Sequence, residues 1–357
     1  MSFEITINRI KESKISSFDP QNIPFGKIFT DHMFVCDYVN GEWQNLRIEP
    51  FGKIEVSPTL SALHYGQSIF EGMKAFKNPS GQVSFFRPLE NLKRLNRTAE
   101  RMCMPTLPQE LFEKGLHQLV VMDKNWIPTM LGSSLYIRPF MFATDDFLGV
   151  KQSENYTFMI YACPVNVYYS HHLKVKVEEK YTRSAKGGVG SAKCAGNYAA
   201  AMYPTKLAQQ QGFDQVLWTD GYSHQYLEET GTSNVFVVAN NKVYTPELTD
   251  TLLQGITRDS VIQLIKDFGM EIKEQQVAVA DIIQWHKNGT LQEMFVTGTA
   301  ATITNIELFN YQGENYNLNM NGELLSQKIK DTFNGIRTHV LDDKHNWMTF
   351  LKETVTT

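Results

Sequence analysis

The chain has 357 residues, enough for about two domains at roughly 100–200 residues each. Its 42% hydrophobic and 20% charged content is that of a packed globular protein. A net charge of −4, with the densest basic segment (Lys93–Arg101) diluted by Glu90 and Glu100, gives no reason to expect nucleic acid or another polyanion as partner. No window approaches the run of about 18 apolar residues that a membrane-spanning helix needs. The opening MSFEITINRIKES lacks an apolar h-region and does not read as a signal peptide. Cys36, Cys103, Cys163 and Cys194 are scattered without a C-x-x-C pair, so free thiols in a reducing cytoplasm are expected, and no metal site.

Strand and helix patterns alternate along the chain, which favours a mixed α/β architecture. SLYIRPFMF (134–142) alternates with period two and puts Tyr136 and Arg138 on one face; Pro139 predicts an edge or a bulge there. NYTFMIYACPV (155–165) is rich in aromatic and β-branched residues, and LKVKVEE (173–179) alternates again. Between them NVYYSHH (166–172) lacks periodicity. The domain boundary is placed there, giving an N-terminal domain 1–165, a linker 166–176 and a C-terminal domain 177–357. DQVLWTDG (214–221) reads as a strand ending in a turn, and NVFVVANNKVYTP (234–246) as a hairpin around Asn240-Asn241. GITRDSVIQLIKDFG (255–269) is the strongest helix, with Val261, Ile262, Leu264, Ile265 and Phe268 on one face, Thr257 as candidate N-cap and Gly269 as stop.

The stretch RSAKGGVGSAKCAGNY (183–198) holds four glycines and two lysines. A nucleotide P-loop is G-x-x-x-x-G-K-[ST]. In that register the second glycine is Ala192, the magnesium-binding hydroxyl is Cys194, and no buried strand precedes the run. Taken alone, the stretch fits a surface loop with incidental lysines. A third reading is a lysine that binds pyridoxal phosphate covalently. That cofactor needs such a lysine as later proton-transfer base, an acid facing the pyridine nitrogen, a donor to the ring phenolate and a phosphate cradle. YLEETGTSNVF (226–236) offers Glu228 and Glu229, which could equally be a solvated pair. Gly255-Ile256-Thr257 opens a helix whose free N–H groups suit an anion. VTGTAAT (296–302) is a second small-residue turn with hydroxyls, or simply tight backbone packing.

Taken together, these residues resemble the class IV aminotransferases. The run E-T-G-T-S-N-V-F from Glu229, V-Y-T (243–245) and L-Q-G-I-T-R (253–258) is similar to the signature of that class. From about Phe25 to Trp347 the chain resembles branched-chain amino acid aminotransferases. FGKIFTDHM (25–33), SALHYGQSIFEGMKAF (61–76), SLYIRP (134–139), FLGVK (147–151), KGGVGSAKCAGNY (186–198), QVLW (215–218) and GTAAT (298–302) match its blocks in order.

The resemblance implies fold type IV: a smaller N-terminal α/β domain, a larger C-terminal domain with a pseudo-barrel of strands, and pyridoxal 5'-phosphate between them. It implies Lys193, rather than Lys186, as the catalytic, cofactor-bearing lysine. Tyr198 is implied at the ring phenolate and Glu229, rather than Glu228, at the pyridine nitrogen. Arg94, Ile256, Thr257 and Thr299 are implied at the phosphate; the residues alone leave Arg87, Arg97 and Arg101 as rivals to Arg94, which lies off the Leu89/Leu92/Leu95 stripe. On the substrate side the resemblance implies Tyr65, Thr299 and Ala300 at the α-carboxylate. Phe25, Phe70, Tyr136, Tyr168 and Thr232 form the apolar wall, with Arg138 at the γ-carboxylate of glutamate. Leu148 and Val150 are implied on a loop closing the neighbouring subunit's pocket, hence a homodimer.

The implied reaction is transamination between leucine, isoleucine or valine and 2-oxoglutarate by ping-pong kinetics. The chain departs from the family pattern at A-T-I-T (301–304), where some members carry C-x-x-C, and at Cys194 and Ala195. A D-amino-acid transaminase or an aminodeoxychorismate lyase would share the fold, and the Tyr65/Phe70/Tyr136/Arg138 set argues against both. A nucleotide-binding module built on GGVGSAK is the rival outside the class.

Overall fold

The computed structural model describes residues 3–130 and 132–353. It has a mixed α/β fold, and the chain groups into two compact units. One comprises Met1–Val167, Lys193–Ala195 and Asn334–Thr357, and the other Tyr168–Ala192 and Gly196–Phe333.

The first unit is built on a nine-stranded sheet. At its centre Ser134–Ala143 pairs antiparallel with Tyr156–Val165 along its whole length. Pro139 therefore lies in a central strand, neither at an edge nor in a bulge, opposite Ile160. Its missing donor does no harm. On that side the neighbouring chain changes from strand Ser68–Phe70 to strand Met73–Lys77, and Pro139 only has to accept a bond from the Glu71 amide (2.8 Å). The Pro88–Arg101 helix starts with proline in its first turn and buries Leu92, Leu95 and Ala99. The Gln109–Asp123 helix packs on strand His32–Val39.

In the second unit six strands close into a ring. Leu227–Thr230, Gln215–Thr219, Leu173–Val177, Thr302–Tyr311, Leu291–Gly298 and Asn234–Ala239 pair in that order, and the Glu229–Asn234 pairing returns the last to the first. One face, with Val175, Val177, Val235, Val237, Met294 and Val296, packs on Val279 and Ile282 of a helix. Asn240 and Asn241 both take positive φ (52° and 58°), the type I′ geometry expected of the hairpin between Asn234–Ala239 and Lys242–Thr245. The Ile256–Asp267 helix ends before Gly269 at φ 74°. Its N-cap is Gly255, not Thr257, which is buried in the first turn.

Two groupings differ from the sequence-based division. Met348–Phe350 pairs with Val83–Phe86, which draws Asn334–Thr357 to the first unit. Cys194 bridges to Ile69, which draws Lys193–Ala195 to it as well. Strand Leu173–Val177 begins within the span read as linker.

Candidate active site

The first unit gathers five of the expected residues. Lys193 is half-buried, and its main chain is fixed on both sides: its N–H donates to Thr98 Oγ1, and its carbonyl accepts from the Phe70 amide, each at 3.1 Å. Its Nζ lies 4.8 Å from the centre of the Phe70 ring. The Arg138 guanidinium lies 4.5 Å from that same ring, and its Nη2 donates to the Tyr136 hydroxyl at 3.0 Å. The Phe25 ring meets Tyr136 edge-on at 5.5 Å. Arg138 Nε is buried without a hydrogen-bond partner. Gly72 makes the packing possible, because any Cβ there would collide with the Tyr136 hydroxyl.

Arg94 is 4% exposed, whereas Arg97 and Arg101 are exposed and Arg87 lies half-buried against Trp347. Arg94 thus does not occupy a solvated helix face. It ion-pairs with Glu71, which sequence reasoning did not single out.

In the second unit neither acid of the Glu228-Glu229 pair is solvated, being 6% and 4% exposed. Neighbours in a strand point to opposite faces, and the two carboxyls meet different chemistry. Glu229 Oε1 pairs with Arg183 Nη2 at 2.8 Å and faces the Leu253 amide at 3.4 Å; Oε2 accepts from Asn234 Nδ2 at 3.0 Å. Every one of these partners is a donor, which suits an anion. Glu228 has a buried oxygen, Oε2, with no hydrogen-bond partner, and burial, with Glu229 beside it, pushes its carboxyl up to about 7. Of the two acids, Glu229 is the one with both oxygens facing donors.

The glycine run makes room first for the chain itself. A Cβ on Gly190 would lie 2.5 Å from both the Thr251 carbonyl and Ser184 Oγ. Ser184 Oγ and Arg183 Nη1 both donate to that carbonyl, at 2.7 and 2.9 Å. Lys186 is exposed on this loop. Asn197 ties the loop's end to the next helix, donating to the Val189 and Ala192 carbonyls at 2.8 Å each. That helix, Ala195–Gln210, carries Tyr198, which is half-buried.

Ile256 and Thr257 supply first-turn amides behind Gly255, whose N-cap position has no side chain to satisfy them. Thr299 and Ala300 form the half-buried turn after strand Leu291–Gly298, on which the Ile256–Asp267 helix packs. Thr297 Oγ1 and Ser233 Oγ beside that turn are buried without hydrogen-bond partners. Thr232 is exposed, and Tyr168 is half-buried edge-on to Tyr169. Tyr65 ends a one-turn helix and is 44% exposed; Leu148 and Val150 are exposed at 65% and 88%.

The first unit supplies a lysine and a buried arginine, and the second a buried ion-paired carboxylate and a helix N-terminus with no capping side chain; these are the kinds of group that pyridoxal phosphate requires. The family described as amino-transferase class IV matches residues 68–309, and the chain belongs to it. Relatives within the class include branched-chain enzymes. It is 43% identical to branched-chain-amino-acid aminotransferase 2 of Bacillus subtilis (strain 168), over 93% of each chain. It is also 43% identical to the probable branched-chain-amino-acid aminotransferase of Staphylococcus aureus (strain MRSA252), over 95% of this chain and 96% of that one. Among solved structures, the Escherichia coli branched-chain amino acid aminotransferase superposes with a TM-score of 0.73 at 25% identity, covering 90% of this chain and 99% of that one.

Proposed function

We propose that the protein is a branched-chain amino acid transaminase. It moves the amino group of leucine, isoleucine or valine to 2-oxoglutarate, with pyridoxal 5'-phosphate carried on Lys193. The observation that carries the reading is the Lys193–Phe70–Arg138 cluster, which sets a primary amine and a second cation against one aromatic ring. The close similarity to branched-chain enzymes supports the substrate class.

When bound, the cofactor's protonated ring serves as the sink for the electron pair left at the substrate α-carbon. Lys193 Nζ would be the base that takes the proton from that carbon and later returns it. Glu229 would hold the proton at the ring nitrogen as its carboxylate partner. Tyr198 would donate to the ring phenolate. Arg94, the Ile256 and Thr257 amides and Thr299 would hold the phosphate. Tyr65 and the Thr299-Ala300 turn orient the substrate carboxylate, and Phe25, Phe70, Tyr136, Tyr168 and Thr232 enclose its side chain. Branched alkyl groups gain from burial against these rings at about 25 cal/mol per Å². The γ-carboxylate of glutamate gains charge-assisted hydrogen bonds from Arg138. The same pocket thereby accepts both partners of a ping-pong cycle.

A homodimer goes with this reading, supported by the exposed apolar pair Leu148 and Val150 on the Ala143–Tyr156 connection. A reducing cytoplasm is supported by Cys36, Cys103, Cys163 and Cys194 all being free thiols. Among the described residues no helix is long and apolar enough to cross a membrane.

The test is the visible spectrum of the purified protein, followed by half-reactions with L-leucine and D-alanine. A yellow protein bleached by L-leucine and not by D-alanine is expected. A colourless protein unresponsive to added pyridoxal phosphate would contradict the reading.

A further inference from the structure

Arg183 opens the glycine-rich stretch, yet nothing in its spacing sets it apart. In the folded chain its side chain is buried, and the guanidinium is anchored by the chain on two sides. Nη1 donates to the Thr251 carbonyl at 2.9 Å and Nη2 to the Gly190 carbonyl at 3.3 Å. So held, Nη2 stands 2.8 Å from Glu229 Oε1. The other oxygen of Glu229 is fixed by Asn234, whose Nδ2 also donates to the Leu253 carbonyl at 3.0 Å. Gly255 leaves that carboxamide its place, since any Cβ there would collide with Asn234 Oδ1.

We propose that Arg183 is a positioning residue that decides where the proton between Glu229 and the cofactor's ring nitrogen resides. The inference rests on the reading of Glu229 as the ring-nitrogen partner. A proton shared by two bases stays on the more basic one. A guanidinium in contact with a carboxylate makes that carboxylate the poorer base, and a buried setting strengthens the effect. With Arg183 in place the proton stays on nitrogen, the state in which the ring withdraws electrons best. Without it, Glu229 competes for the proton and the ring spends time neutral. Among the charged groups that interact with Glu229 are Glu228 beside it and Arg258 in the Ile256–Asp267 helix. Arg258 is engaged with Glu274 at 3.0 Å. Glu228 opposes Arg183 only when ionised, and its raised carboxyl keeps it largely neutral below about pH 7.

The experiment is nitrogen-15 NMR of the holoenzyme reconstituted with ring-labelled pyridoxal phosphate, followed across pH. Alongside it, kcat and KM for leucine are measured in Arg183→Met, Arg183→Lys and Glu229→Gln. The unsubstituted protein should show a protonated-type resonance at neutral pH. Arg183→Met should move it towards the unprotonated position and lower kcat about tenfold or more, with KM changed by less than about threefold. Arg183→Lys, which keeps a cation but loses the fixed fork, should move the resonance only part of the way towards the unprotonated position. A folded Arg183→Met that keeps the protonated resonance and full kcat, losing only thermal stability, would make Arg183 a structural brace and overturn the proposal. If Arg183→Met does not fold, Arg183→Lys decides, and a resonance unmoved from that of the unsubstituted protein overturns it. Glu229→Gln separates the two readings. If it leaves the resonance unmoved, the assignment of Glu229 fails and this inference with it. If Glu229→Gln moves it and the Arg183 variants do not, only this inference fails.

Discussion

Arg94 donates from Nε and Nη2 to the two oxygens of Glu71, at 2.7 and 2.9 Å, and both side chains are buried. A fork-on-carboxylate pair of this kind fixes the plane of the guanidinium as well as its position. Glu71 is itself held, with the Gly72 amide donating to its Oε2 at 3.0 Å.

Glu71→Gln therefore leaves Arg94 buried beside a neutral amide. Breaking one side of a buried pair costs about 3–5 kcal/mol, and the loss should appear both as lower thermal stability and as weaker retention of pyridoxal phosphate. Equilibrium dialysis of the cofactor checks it. Glu71→Gln holding the cofactor as tightly as the unsubstituted protein would separate the pair from phosphate binding.

Arg138 sits on the Phe70 ring with its Nε buried and unpartnered. Replacing it with methionine keeps apolar bulk and removes the donors. Hydrogen bonds to charged groups are worth about 1.5–3 kcal/mol. The glutamate half-reaction should lose roughly 10- to 100-fold in kcat/KM, while the leucine half-reaction changes by only a few fold. Single-turnover measurements on both amino acids read this directly. Equal losses on the two would show that Arg138 does not discriminate between them.

Glu228 gives a stability prediction with a definite sign. Burial pushes its carboxyl from 4.5 up to about 7 in the folded chain. The folded state then binds the proton more tightly than the unfolded one, so this group's contribution to stability falls as pH rises from about 4.5 to about 7. At 1.36 kcal/mol per pKa unit the penalty above neutral pH is on the order of 3 kcal/mol. Glu228→Gln should be about as stable as the unsubstituted chain near pH 4.5 and more stable near pH 8. Thermal unfolding at the two pH values checks it; stabilisation equal at both would remove ionisation as the cause.

Local signals in the sequence foretold the elements that local physics decides. The Asn240-Asn241 hairpin and the helix stopped at Gly269 need only turn chemistry and periodicity. What escaped was decided by distant partners. Arg94 resembles a surface residue by helical spacing because the carboxylate that buries it lies 23 residues away in the chain. Pro139 signals an edge until the bend at Glu71-Gly72 is known. The grouping of the C-terminal residues depends on a three-residue strand, Met348–Phe350, too short to carry a pattern. Residue type alone does not separate Glu228 from Glu229; the resemblance chose Glu229 by the E-T-G-T-S-N run. In the folded chain Arg183, Asn234 and Leu253 separate them, and of these Arg183 has no place in the signature.

The central claim is that Lys193, and not Lys186, carries the cofactor and moves the proton. Lys193→Ala and Lys186→Ala, each saturated with pyridoxal phosphate, should be compared by visible absorption and by a single half-reaction with L-leucine. The account predicts that Lys193→Ala loses the absorption band of the lysine-bound cofactor and all measurable transamination, while Lys186→Ala keeps both. An active, normally coloured Lys193→Ala beside an inactive Lys186→Ala would contradict it.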